Sequence, residues 1–124
     1  MLNNIAVLLP YKDQFIKDNA GSASIWVKDF SKDSKLKKNT TIFGYTSNVS
    51  KTFDNFNYVN LKFSNFGVQS KNLKYVNKFI EVLNRKKFSL IEIHNRPSYI
   101  LHIEKSLPNQ KYILVIHNLS LIHI

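Results

Sequence analysis

The sequence predicts an α/β fold, a Rossmann-like parallel sheet with helices on both faces. Short continuous apolar runs such as NIAVLLP and FSLIEIHN recur along the chain, and continuous apolarity marks strands buried on both faces. Between them lie stretches with helical spacing of apolar residues, and strands alternating with covering helices form a parallel sheet with right-handed crossovers. The composition, 44% hydrophobic and 21% charged over 124 residues, suits one globular domain with a core of its own.

Taken in order, Asn4 to Pro10 is the first strand; its unbroken apolarity places it at the centre of the sheet. A polar loop carries Gly21 up to SIWVKDF, where Ile25, Trp26 and Phe30 share one helical face and Ser22 is positioned to cap the helix. Thr40 to Thr46, β-branched and aromatic, reads as a second strand. Tyr58 to Phe63 alternates and reads as a third, nearer an edge.

The strongest periodicity lies in SKNLKYVNKFIEVLNRKKF, where Leu73, Val76, Ile80 and Leu83 form the stripe of an amphipathic helix. Phe88 to Asn95 is the fourth strand. Pro97 then opens a helix that closes before Pro108, with Ile100, Ile103 and Leu107 as its buried stripe. KYILVIH supplies the fifth strand.

Composition narrows the function classes. The chain has no cysteine, which removes disulfides and thiolate metal sites. No apolar run reaches the length of about eighteen residues that a membrane helix needs, and the N-terminus lacks a secretory signal; the expectation is a cytoplasmic protein. The net charge of +10 invites a nucleic-acid reading. Against it, the positive charge is almost all lysine, with Arg85 and Arg96 the two arginines, in a chain crowded with Asn and Ile. Those residue types are what AT-rich coding favours, so the charge reads as a solvated surface and no nucleic-acid partner is expected. A lysine-rich surface also suits peripheral contact with an anionic membrane face.

In a parallel open sheet, ligands bind beyond the carboxyl ends of the strands. Gly21 at a helix start lets backbone N–H groups approach a phosphate or sugar oxygen; equally, it serves as a glycine that makes the turn. His94 and His117 end two strands expected to be neighbours, where imidazoles can hydrogen-bond hydroxyls or transfer protons. Arg96, just past a strand end, has a fixed charge that can grip an anion or pair with Glu92 or Glu104. Glu92 needs a partner within its strand, for which a helix lysine is the expectation. His102 is placed on a helix surface without a role. No Cys or Asp completes a zinc-like ligand set around the histidines, and no GxSxG elbow supports a hydrolase triad.

These residues carry a resemblance. IAVLLPYKDQFIKDNAGSASIWVKDF together with SLIEIHNRPSYILHIEKSLPNQKYILVIHN resembles the N-terminal half of a glycosyltransferase family 4 (group 1) enzyme of GT-B fold, with an E-x-HNRP strand end followed by a helix and an HN strand end. The likeness runs from Asn3 to Asn118; the AGSA loop departs from the family's usual double glycine. It implies that residues 1–118 are an incomplete N-terminal, acceptor-side domain of a retaining enzyme. Such an enzyme moves a sugar from a nucleotide-sugar donor to a cell-surface polysaccharide or lipopolysaccharide-type, glycan or lipid-linked acceptor, with no metal and no other cofactor. By position, it implies that His117 is the catalytic strand-end histidine that hydrogen-bonds the transferred sugar. Gly21 and Ser22 match the loop near the donor phosphates, and His94, Asn95 and Arg96 line the acceptor side. Lacking the second Rossmann-like domain, the chain by itself is expected to transfer no sugar.

The closing LSLIHI, residues 119–124, is what one frame of CTGTCTCTTATACACATC encodes, and that DNA resembles a transposon-library adapter. The expectation is therefore a non-native tail. Two other classes stay open: a self-contained Rossmann-like nucleotide-binding module without enzymatic activity, which needs a genuine stop after Ile124, and a basic nucleic-acid-binding domain, which salt-sensitive binding would reveal.

Overall fold

The computed structural model describes residues 4–32, 35 and 37–117. Asn3 and Asn118, the ends of the family likeness, and the 119–124 tail lie outside the described residues. Five strands, β1 (Ile5–Leu8), β2 (Thr40–Gly44), β3 (Asn57–Asn60), β4 (Leu90–His94) and β5 (Tyr112–Val115), form one parallel sheet in the order β3-β2-β1-β4-β5. The α/β Rossmann-like fold expected from the sequence is thus present, with β1 at the centre and β3 at an edge.

Side-chain alternation along the strands builds two cores. On one face Ala6, Leu8, Phe43, Ile91 and Ile93 meet α2 (Lys71–Leu83) and α3 (Pro97–Ser106). On the other, Val7, Leu9 and Ile42 meet Ala23 and Val27 of α1 (Ser22–Ser31). The period-2 pleat sends successive residues of β1 to opposite faces, which is why its run has no polar residue.

The helices begin where their sequences direct. Ser70 caps α2, its side chain accepting from Leu73 N–H, and Pro97 occupies the first turn of α3. Tyr75 clamps α2 to the sheet: its buried hydroxyl donates to the carbonyl of Leu9 at 2.6 Å. Burial pushes that phenol's pKa well up, with Tyr99, Tyr58 and Asp13 acting in the same direction.

Several expectations are corrected by packing. α1 does not bury Ile25 and Phe30, which are exposed; it buries Ala23, Ser24 and Val27. Small residues let the helix sit close on β1, so the large apolar side chains turn outward. Ser22 is not the cap of α1: Gly21 stands at that position, and no side chain of its own closes the helix end.

The β2–β3 crossover is not helical. It is a loop with a 3-10 turn at Val49–Lys51, tied to the β1–α1 loop by an antiparallel bridge between Ile16 and Thr52. Phe53 and Phe56 pack edge-on against Phe15 and take the place of a helix on that face. His102 is not a bare surface residue, since its Nε2 lies 2.7 Å from Asn77 Oδ1 and links α3 to α2.

Candidate functional site

The strand order reverses direction between β2-β1 and β4-β5, and the switch point lies between β1 and β4. There the loops leaving adjacent strands run to opposite faces and open a crevice. The residues singled out from sequence sit along this rim.

Because β4 and β5 pair in parallel, with His94 opposite Val115, the chain two residues further on brings His117 beside His94. His94 Nδ1 and His117 Nε2 are 2.7 Å apart, with the rings within 10° of parallel. The other nitrogen of His94, Nε2, is 2.7 Å from Glu92 Oε2. Glu92 and His94 are two apart on one strand and so share a face. The result is a continuous Glu92–His94–His117 chain on the α1 side of the sheet. The expectation of a helix lysine as the partner of Glu92 is corrected: its partner is the same-face imidazole of His94.

His94 is fully buried with both ring nitrogens engaged, so it supports His117 rather than facing a ligand itself. His117 is half-buried, and its Nδ1 has no partner among the described residues. Burial depresses the pKa of His117; the neighbouring His94 adds to this, while Asp13 and Glu92 pull the other way.

Trp26 of α1 walls the pair, with ring centroids 5.3 Å from each imidazole. Trp26 and Phe30 stack at 4.7 Å. Together with Ser22, Ile25, Asp29 and His117 they line an open trough of about 650 Å³. Ser22 and His117, read separately from sequence, thus share one cavity.

Asn95 holds the strand end in place. Its φ of +58° is left-handed backbone, which Asn tolerates better than most residues. Its N–H donates to Val115 O at 2.8 Å, and its Oδ1 accepts from His117 N–H at 2.6 Å. Arg96 is exposed and donates to the Asn95 carbonyl at 2.9 Å; Glu92 pairs with His94 instead, and no ion pair of Arg96 with Glu104 forms among the described residues.

Asp13 was not legible as a site residue. Its two carboxylate oxygens accept from the N–H groups of Ala23 (2.9 Å) and Ser24 (3.1 Å) at the start of α1, where a carboxylate meets the positive end of the helix dipole. Gly21 is in extended backbone, φ −76°, so the turn does not demand glycine. Close approach does: a Cβ there would stand 2.4 Å from the Asp13 carboxyl group.

Among the described residues no helix is long and apolar enough to cross a membrane. No family model, curated protein or solved structure matches the chain; what is shown is the fold class, a Rossmann-like parallel α/β sheet.

Proposed function

We propose that the chain is the acceptor-side part of a GT-B glycosyltransferase, which moves a sugar from a nucleotide-sugar donor to a cell-surface polysaccharide or lipopolysaccharide-type acceptor. The observation that carries this reading is the end of β5. Backed by His94 and Glu92 and pinned by Asn95, His117 presents one open nitrogen one strand from the switch point, beside an aromatic-walled trough. A preorganised imidazole there hydrogen-bonds a hydroxyl of the transferred sugar, and preorganisation lowers the cost of the transition state.

Gly21 and Ser22 take the donor side in this reading, while Asn95 and Arg96 take the acceptor side, with His94 acting behind His117. The lysine-rich surface holds the enzyme at the inner face of an anionic membrane, where a lipid-linked acceptor resides. A nucleotide-binding module ranks second because it depends on the Gly21 loop alone for its phosphate, and Asp13 already occupies the amides of Ala23 and Ser24 there; the transferase reading draws its main donor contacts from a second domain.

The test begins with the source DNA, read outward from the codons of Tyr112–His117. The expected frame continues into further αβ units and a second, glutamate-bearing domain. The longer chain then turns over a nucleotide sugar, and H117A slows it about 100-fold or more. A stop codon directly after Ile124, or a longer chain whose turnover is indifferent to His117, overturns the reading.

A further inference from the structure

The Glu92–His94–His117 chain does more than bring two histidines together, because its hydrogen bonds have a direction. An ionised carboxylate only accepts, so the bond to Glu92 Oε2 places a proton on His94 Nε2. With one proton per imidazole, His94 Nδ1 is then a lone pair, and the 2.7 Å contact requires His117 to donate from Nε2. That leaves the lone pair of His117 on Nδ1, the nitrogen without a partner among the described residues.

We propose that Glu92 and His94 are positioning residues that hold His117 in its Nε2–H tautomer, so that its open Nδ1 accepts a hydrogen bond from a ligand hydroxyl.

Three further contacts keep this arrangement in place. Trp26 packs against both rings, Asn95 fixes the backbone of His117, and a flip of the His117 ring would leave a fully buried acceptor on His94 unpaired. The groups around His117 also select the ligand's charge. Glu92 and His94 from β4, Asp13 from the β1–α1 loop and Asp29 on the trough wall include three carboxylates, of which Asp29 is paired with Lys28 at 3.2 Å and Glu92 and Asp13 act on His117 directly. A phosphate or carboxylate brought to Nδ1 meets a lone pair and this negative field, whereas a neutral hydroxyl supplies the missing proton. The hydroxyl assignment rests on the glycosyltransferase reading, where it names a sugar hydroxyl as the group received; the tautomer assignment does not.

Long-range proton–nitrogen correlation of the imidazoles in the 15N-labelled 124-residue chain reads the tautomers directly, at about pH 7.5, above the ordinary histidine pKa. Expected are protonated Nε2 and bare Nδ1 on both His94 and His117. E92A should release His117 into a mixture of both tautomers, and E92Q, whose amide oxygen still accepts, should restore the single one. A protonated Nδ1 on wild-type His117, or an E92A spectrum with the tautomer unchanged, overturns the proposal; the wild-type and E92Q spectra decide it if E92A does not fold.

Methyl α-glucoside at tens of millimolar should move the His117 Nδ1 resonance while inorganic phosphate leaves it in place; the opposite result, or no response to either, overturns the hydroxyl assignment. Correct tautomers in a chain whose longer form transfers no sugar would retain the positioning role and remove the transferase reading. The wrong tautomer in an active, His117-dependent enzyme would do the reverse.

Discussion

Gly21→Ala, made alone and in an Asp13→Ala background, tests how the rim of the site is built. A Cβ at position 21 would stand 2.4 Å from the Asp13 carboxyl carbon, well inside contact distance. The backbone at φ −76° suits alanine, so the carboxylate is what must yield. It can swing away only by releasing the amides of Ala23 and Ser24. Losing a side-chain cap costs about 0.5–2 kcal/mol, and losing a negative charge at a helix N-terminus costs about 0.3–1 kcal/mol more. D13A and G21A should therefore each destabilise by about 1–3 kcal/mol, lowering Tm by about 4–12 °C.

In the double variant the carboxylate is already gone. Alanine then gains about 0.4–1 kcal/mol from reduced unfolded-state entropy and forfeits a comparable amount as a poorer N-cap residue than glycine. The double variant should lie within about 0.5 kcal/mol of D13A, a coupling energy of about 1–3 kcal/mol. Urea unfolding of the four proteins measures it. Additive losses would show that Gly21 is required for some reason other than Asp13, and would refute the account of this loop.

Two other perturbations probe the strand ends. At Asn95, alanine should cost more than glycine by about 1 kcal/mol, because only the alanine variant must hold φ +58° against a Cβ; both lose the bond to His117 N–H, and equal denaturation midpoints would argue against backbone strain. At His117, the folded-state pKa is depressed below 6.5, so the unfolded chain binds the proton more readily. Stability should be full above the ordinary histidine pKa and fall as pH drops through 6.5 toward the depressed folded value. H117N should flatten that fall in a series of thermal melts, and an unchanged slope would place the pH response elsewhere.

Much of the architecture is legible in the sequence because apolar pattern is a local property with a short period. The unbroken run at Ile5–Leu8 has no polar residue to turn toward solvent, so it had to be central. The alternation of Tyr58 to Phe63 placed β3 at an edge, and the stripe through Val76, Ile80 and Leu83 named the buried face of α2. Even the meeting of His94 with His117 followed from parallel pairing of two successive strands.

What tertiary structure decided is partner choice among polar groups and fit among apolar ones. Asp13 selects amides ten and eleven residues away, and Tyr75 selects a carbonyl 66 residues away. Nothing in the one-dimensional pattern favours these partners over many equivalent ones; burial makes an unpaired group costly, and proximity settles which partner satisfies it. The outward turn of Ile25 and Phe30 has a related cause, since apolar periodicity gives a helix a face but not the spacing to its sheet. Glu92 lies between these cases. Its i, i+2 relation to His94 was visible in the sequence, but that the two side chains meet and pass the contact on to His117 depends on β5 being folded beside β4.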